Sequence, residues 1–195
     1  MRVESCTLPT DCVMLIGIPT THEQFIATEG IPGLFAEAFA GRWTLYKTVV
    51  LAELERAIQE WVTTGVRCIR NASVLDWRRY LQTQGAVFLF SHSVRGAAIE
   101  LTCGAVANAD LAADVPQTFD GVLDLCACRG KALAMEIRKR VKGGLIRFSD
   151  RRLSVDTWAT YFTVLFRLLG TGEHGYLAAS EKATSLMLGG ARWRR

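Results

Sequence analysis

The sequence predicts an α/β protein in which helices cover both faces of a mostly parallel sheet, giving a three-layer α/β/α sandwich. Short apolar runs, typical of strands buried on both faces, alternate with stretches of helical periodicity. Right-handed crossovers turn that alternation into a parallel sheet with a helical layer on each side. A chain of 195 residues, half of them hydrophobic, is ample for one such domain. We expect a single domain over residues 1–195, with a flexible tail from about residue 189.

Five apolar runs predict the strands of the sheet, and Pro19 stops the first of them. They cover residues 13–18, 66–69, 86–90, 121–127 and 145–148. Residues 97–103 and 105–108 predict a small hairpin about Gly104, because glycine suits its turn. Residues 45–50 fit either a short strand or the entry to the next helix.

Helical periodicity is clearest over residues 51–62, where Leu51, Leu54 and Ile58 recur on one face. Ser73 is the predicted N-cap of a helix over residues 74–82, and Thr20 or Thr21 caps a helix that begins near His22. The other predicted helices cover residues 34–40, 110–114 (a helix or a loop), 130–141 and 176–188, and a further apolar helix is capped by Ser154 or Asp156 and extends to about Leu169.

The charge balance is mildly basic. The chain has 23 basic and 19 acidic residues, a formal net charge of +4, which does not by itself indicate a nucleic-acid-binding protein. The sharpest basic cluster is Arg192, Arg194 and Arg195 around Trp193 at the C-terminus, and terminal clusters of this kind are usually solvated. Contact with nucleic acid or with a membrane surface is therefore not expected.

The sequence predicts a cytoplasmic protein. Residues 13–18 are too few for a signal peptide, and the apolar stretch 158–169 is interrupted by Arg167. The cysteines (Cys6, Cys12, Cys68, Cys103, Cys126 and Cys128) lack paired C-x-x-C spacing, so neither a disulfide framework nor a zinc ribbon is indicated. No cofactor is expected.

Two reactive side chains follow two of the predicted strands. His92 comes after the run that begins at Ala86, and Cys128 follows the run 121–127. The carboxyl ends of parallel strands face the crevice where ligands bind. If the two strands are neighbours, a thiol and an imidazole meet there. These two groups are the minimum catalytic set of a cysteine hydrolase.

These two motifs resemble the active site of the caspase-like clan of cysteine peptidases. Ser91-His92 and, after some three dozen residues, the sequence A-C-R-G at 127–130 match the S-H-G and A-C-R-G motifs of that clan. Residues 161–188, with a helix of spaced aromatic and leucine residues, a glycine-containing hinge and an alanine-rich last helix, are more similar to the bacterial CHAT branch than to animal caspases. The resemblance implies a caspase-like sandwich and endopeptidase activity on a specific protein, such as a pore-forming or other effector protein in bacterial immunity or cell death. It also implies regulation by a partner protein or by the chain's own loops.

The resemblance assigns the catalytic roles. Cys128 is the nucleophile, and the helix that follows it, together with Arg129 and Lys131, favours its thiolate. His92 is the general base and later the general acid. The backbone N–H groups of Ser93 and Cys128 form the oxyanion hole. The family has glycine where this chain has Ser93; the serine keeps the backbone donor but restricts the conformations open to that loop.

The sequence leaves the substrate preference open. The resemblance places the first specificity pocket around residues 147–152, where Arg147, Arg151 and Arg152 would favour an acidic side chain. Asp124, on the Cys128 side of its strand, would instead favour a basic one. Cys126 lies on that same side and either lines the pocket or fills the interior.

Three alternatives compete with the peptidase. The strongest alternative is a catalytically inactive CHAT-like protein-interaction module. The only feature that favours it is the replacement of the family's glycine by Ser93. A nucleotide-binding α/β domain is weaker, since no glycine-rich phosphate loop follows the first strand. A zinc site built from His92, Cys103, Cys126 and Cys128 is chemically feasible, although C-x-C spacing strains tetrahedral geometry.

Overall fold

The computed structural model describes residues 9–149 and 152–188; Cys6, Arg151 and residues 189–195 lie outside this range. The strands are β1 (Cys12–Ile16), β2 (Arg67–Arg70), β3 (Ala86–Ser91), β4 (Ser93–Val94), β5 (Ala98–Leu101), β6 (Gly104–Ala107), β7 (Val122–Ala127) and β8 (Leu145–Phe148). The helices are α1 (His22–Glu29), α2 (Trp43–Tyr46), α3 (Ala52–Thr63), α4 (Val74–Thr83), α5 (Asn108–Ala113), α6 (Lys131–Arg140), α7 (Val155–Gly170) and α8 (Tyr176–Leu188). Short 3₁₀ turns cover Pro9–Asp11 and Phe35–Phe39, and a π-helical turn covers Lys47–Leu51.

The central sheet has the order β2-β1-β3-β7-β8, and all its neighbouring strands are parallel. Helices cover both faces, so the predicted α/β/α sandwich is confirmed. The short strands β4, β5 and β6 form a separate antiparallel sheet beside it. This small sheet contains the predicted hairpin about Gly104 and adds β4, which the sequence did not predict.

Alternate residues of each central strand face opposite helical layers. Phe88 of β3 lies on the side of α1, α3, α7 and α8, where its ring makes edge-on contacts with Phe162 and Phe166 at centroid distances of 5.5 and 5.1 Å. Leu89 of β3 and Leu125 of β7 lie on the other side, against α4, α5 and α6. Strands buried on both faces have no polar face, which is why their sequences are continuous apolar runs.

Local capping explains two helix starts. The side chain of Ser73 accepts a hydrogen bond from the Asp76 N–H, and the Asp76 carboxylate accepts one from the Ser73 N–H, forming a capping box. Thr21 caps α1 through the Gln24 N–H. Both predicted caps are therefore confirmed.

The undecided stretch 45–50 is helical. Tyr46, Val50 and Leu54 are buried at four-residue spacing, so the apolar stripe of α3 continues backwards through α2 and the π-helical turn. Within the described residues, no helix combines the length and the hydropathy needed to cross a membrane.

Candidate active site

The pairing of β3 with β7 brings His92 and Cys128 to the same edge of the sheet. The two strands are adjacent and parallel, and their last paired residues are Ser91 and Ala127. His92 directly follows Ser91 and Cys128 directly follows Ala127, and adjacent strands of a sheet lie about 4.8 Å apart. Both continue the alternation that places Phe90 and Cys126 in the same hydrophobic layer. The register of one strand pair therefore places the two residues at the carboxyl ends of neighbouring strands.

The carbonyl of Gly33 determines the tautomer of His92. Nε2 of His92 lies 3.1 Å from the Gly33 carbonyl oxygen. A carbonyl oxygen only accepts, so Nε2 carries the proton and Nδ1 keeps a free lone pair. The ring also packs against Phe35, with centroids 5.5 Å apart. In this neutral tautomer, Nδ1 is the atom that can accept a proton.

The half-buried position of His92 favours the neutral form of its imidazole. Burial lowers the pKa of His92 below its usual value, the hydrogen bond to Gly33 acts in the opposite direction, and the positive charge of Arg152 lowers it further. The neutral form is the one that can act as a base.

A buried carboxylate, which sequence reasoning did not single out, supports the loop that carries Gly33. The Phe35 N–H donates to Oε2 of Glu100 at 2.7 Å, and the Glu100 N–H donates to the His92 carbonyl at 2.9 Å. Ser91 Oγ donates to the Glu100 carbonyl. Glu100 therefore connects the Gly33 loop and the end of β3. The only signal in the sequence was an acidic residue inside the apolar strand β5.

Glu100 is completely buried. Burial raises the pKa of Glu100 to about 7, although its hydrogen bond from Phe35 acts in the opposite direction. Gly17, after β1, permits the close packing here, since a Cβ at that position would lie 2.3 Å from the Glu100 carbonyl oxygen.

Cys128 lies in the turn between β7 and α6. Its thiol is half-buried, and Sγ lies 3.8 Å from the Leu153 carbonyl oxygen, which accepts its weak hydrogen bond. Arg129 adopts a positive φ of 59°, and the Gly130 N–H bonds both to the Ala127 carbonyl at 3.0 Å and to the Ser149 carbonyl at 3.1 Å. This turn ends the strand ladder and points the chain into α6.

The strand ladders determine where the N–H groups of Ser93 and Cys128, the two predicted oxyanion donors, point. The Glu100 N–H donates a hydrogen bond to the His92 carbonyl. Residue pairs of an antiparallel ladder alternate between hydrogen-bonded and non-hydrogen-bonded pairs, so the next pair, Ser93 with Ile99, is not hydrogen-bonded. The Ser93 N–H therefore points away from β5. The Val122 N–H donates to the Gly85 carbonyl, and in that phase of the parallel ladder, which ends at the Ser91–Ala127 pair, the Cys128 N–H faces the Ser91 carbonyl.

Ser93 occupies extended backbone in β4 and is not among the described residues with positive φ. A serine adopts this conformation without strain, so the position does not require the glycine of the family motif.

Three of the predicted pocket residues lie in the interior. Asp124 Oδ2 lies 2.6 Å from Arg147 Nη1 and accepts a hydrogen bond from Tyr176 Oη at 2.5 Å. The two charged side chains are 1% and 7% exposed, and Cys126 is buried in the adjacent core. The expectation that Asp124 and Arg147 face the substrate is thus corrected, because the two side chains neutralise each other in the interior. Of the two alternatives for Cys126, the structure supports filling of the interior.

Aromatic side chains enclose this ion pair. The Arg147 guanidinium lies 4.4 Å from the centroid of the Tyr161 ring, a cation–π contact. Burial and the negative charge of Asp124 raise the pKa of Tyr176, so its hydroxyl stays a donor to that carboxylate. Burial, followed by Asp124, also raises the pKa of Cys126, which keeps it a neutral thiol.

Arg152 is the described pocket candidate that remains exposed, and its charge acts on His92. Arg151 lies outside the described residues. Cys103 is exposed, whereas Cys126 is buried, and no group of three or more His, Cys, Asp or Glu side chains suited to a metal ion occurs within residues 9–149 and 152–188.

Comparison with known proteins found no family model and no curated protein that matches the chain. The similarity to the caspase-like clan therefore rests on the motifs at Ser91-His92 and at residues 127–130.

Proposed function

We propose that this chain is a caspase-like cysteine endopeptidase that cleaves a specific protein partner, with Cys128 as nucleophile and His92 as base. The observation that carries the proposal is the shared register of β3 and β7, which puts both residues on one face at the carboxyl edge of the sheet. The Nε2–H tautomer imposed by Gly33 supports it, because Nδ1 is then ready to take a proton.

The first half of the reaction forms a thioester. The thiol turns from the Leu153 carbonyl to His92, Nδ1 takes its proton, and Sγ attacks the carbonyl carbon of the scissile bond. The Ser93 N–H holds the resulting oxyanion, and the Cys128 N–H joins it by turning from the Ser91 carbonyl. When the tetrahedral intermediate collapses, the C–N bond breaks and His92 gives its proton to the leaving amine.

Water completes the cycle. His92 Nδ1 removes a proton from the water molecule as its oxygen attacks the thioester, and the C–S bond then breaks. The carboxylic acid leaves, and Sγ takes back the proton held by His92. Free thiols at Cys12, Cys68, Cys103, Cys126 and Cys128 are compatible with the reducing cytoplasm that we propose as its location.

A thiol-directed probe tests the nucleophile. Wild-type protein treated with fluorescent iodoacetamide at mildly acidic pH should be labelled first at Cys128, as mapped by peptide mass spectrometry. Cys128→Ala should abolish the fast labelling, whereas Cys103→Ala, which removes an exposed thiol, should not change it. If Cys128 reacts no faster than Cys103, the peptidase proposal fails.

A catalytically inactive interaction module is the second candidate. The observation that favours it is that Cys128 directs its thiol proton to Leu153 instead of His92. A peptide library treated with wild type and Cys128→Ala separates the two, because only an active enzyme gives cleavage products that the variant lacks.

A further inference from the structure

A groove begins one residue beyond Cys128 and runs between α6 and the turn that joins β4 to β5. Two adjoining depressions of about 380 and 500 Å³ form it, and both are lined by Gly96, Ala132 and Met135. Alanine side chains line much of the rest, at Ala97, Ala107 and Ala109. Met135 is 53% exposed. The lining of the groove is therefore mainly apolar.

Hydrogen bonds define the wall of this groove opposite α6. Arg95 and Gly96 have φ values of 52° and 77°, and the Ala97 N–H donates to the Val94 carbonyl at 3.0 Å, as in a type I′ turn. Asn108, the first residue of α5, connects this turn to the helix. Its backbone N–H donates to the Ala97 carbonyl and its side-chain Nδ2 donates to the Gly96 carbonyl, both at 3.0 Å. The wall is thus preorganised for an occupant.

The end of the groove near Cys128 is positively charged. Arg129 and Lys131 line it, and Arg95 lies at the tip of the turn. None of these three forms an ion pair with residues 9–149 or 152–188. At the other end, Glu136 is paired with Lys139 at 2.6 Å. The groove therefore offers cations next to Cys128 in the chain that have no partner within the part of the chain that the structure describes.

We propose that this groove binds an acidic segment of the substrate protein, a few residues away from the bond that Cys128 attacks. The description of this segment as part of a substrate rests on the proposed peptidase function. Carboxylates of the segment pair with the Arg129 guanidinium and the Lys131 ammonium, and apolar neighbours cover Met135. This positions the scissile bond over Cys128 and steers acidic segments to the site.

Binding to full-length Cys128→Ala tests the proposal without cleavage. Binding would be measured by the fluorescence anisotropy of three short fluorescein-labelled peptides. Each peptide repeats alanine, leucine and one variable residue, and that residue is glutamate in the first, glutamine in the second and lysine in the third. We expect the glutamate peptide to bind about ten-fold more tightly than the lysine peptide at low salt. The difference should shrink as ionic strength rises, because the cations are exposed.

Two variants and one control variant locate the binding. Added to Cys128→Ala, the changes Arg129→Glu and Lys131→Glu together should remove or reverse the preference for glutamate. Ala132→Trp, which fills the groove without changing charge, should weaken binding of the glutamate peptide. Lys142→Glu, beyond the other end of α6, alters the net charge of the protein without touching the groove and should leave the preference intact. Circular dichroism confirms that each variant is folded.

The outcomes are distinct. Equal binding of the three peptides, or no binding, overturns the acidic-segment proposal. Tighter binding of a single-stranded oligothymidylate than of the glutamate peptide also overturns it, because the surface is then a nucleic-acid site. A glutamate preference in a protein whose Cys128 fails the thiol-probe test supports the groove and refutes the peptidase function instead.

Discussion

The carbonyl oxygen of Gly33 lies 3.1 Å from Nε2 of His92, although the two residues are 59 positions apart in the chain. This contact decides which ring nitrogen of His92 carries the proton. Gly33 has a φ of 87°, and a Cβ at this position would lie 3.0 Å from Cγ1 of Val94. A side chain there is therefore both strained and crowded.

We expect Gly33→Ala to lower the peptidase turnover about ten-fold or more, because the carbonyl that orients His92 is displaced. The imidazole ¹⁵N chemical shifts should also lose the pattern of a pure Nε2–H tautomer. Gly172→Ala is the matched control: its φ is 68° and nothing lies within 4 Å of its added Cβ. Both changes should destabilise the fold by about 1 kcal/mol, and equal activity in the two variants would contradict the role of Gly33.

Glu100 should support His92 by accepting the Phe35 N–H. Glu100→Ala removes that acceptor and should reduce turnover, whereas Glu100→Gln retains an oxygen in its place and should restore much of it. The two variants are compared by kcat and by the His92 ¹⁵N shifts. Turnover that is equally low in both variants would show that the charge of Glu100, and not its hydrogen bond, is what His92 needs.

The same carboxylate should also make stability depend on pH. Its folded-state pKa of about 7 lies above the ordinary value of 4.5, so between these values the folded state binds more protons than the unfolded state. The free energy of unfolding contributed by Glu100 should therefore fall as pH rises from 4.5 to 7 and stay level above that range. Urea denaturation of wild type and Glu100→Gln across this range measures it, because the variant lacks this contribution. Parallel curves would contradict the prediction.

Arg152 should lower the pH at which His92 becomes a base. The pKa of His92 is below its usual value, in part through Arg152, so the acid limb of kcat/KM should lie below about pH 6.5. Arg152→Glu replaces the cation by an anion and should move that limb, and the His92 proton titration followed by NMR, to higher pH. Lys142→Glu makes the same change of charge away from His92 and should move neither.

The Asp124–Arg147 pair should be essential to the stability of the domain. Arg147→Met leaves Asp124 as a buried charge without its cation and should destabilise the protein by about 3–5 kcal/mol. Arg56→Ala breaks the exposed pair with Glu53, whose side chains are 72% and 41% exposed, and should cost less than about 1 kcal/mol. Urea titration of both variants provides the comparison. A similar small loss in each would mean that Asp124 is accessible to water and open to a substrate after all.

Local patterns were sufficient for most elements of the fold. Strand β8 and helix α8 have the predicted bounds, and the Ser73 cap lies at the predicted start of α4. The stretch 45–50 could not be assigned from the sequence because so short an apolar run fits both helical and strand periodicity. The structure decides for a helix, since the buried face of this stretch continues that of α3. The short strand β4 has only two residues, too few for a pattern.

The candidate site was predictable only in part. His92 and Cys128 follow strands that the sequence reveals, so their common edge was a reasonable expectation. Asp124 and Arg147 were misplaced because their charges suggest exposure to substrate, whereas pairing in the tertiary structure permits both to be buried.

The amino-acid sequence by itself thus determined the α/β class, most helix and strand positions and the two reactive side chains, because periodicity, caps and turns act over a few residues. The tertiary structure alone decided the register of β3 against β7, the Gly33 contact that orients His92, and the support from Glu100, which holds a backbone N–H 65 positions away. It also decided which charges are neutralised in the interior and which cations of the groove beside Cys128 have no ion pair among residues 9–149 and 152–188. Each of these depends on residues far apart in the chain, and only packing brings them together.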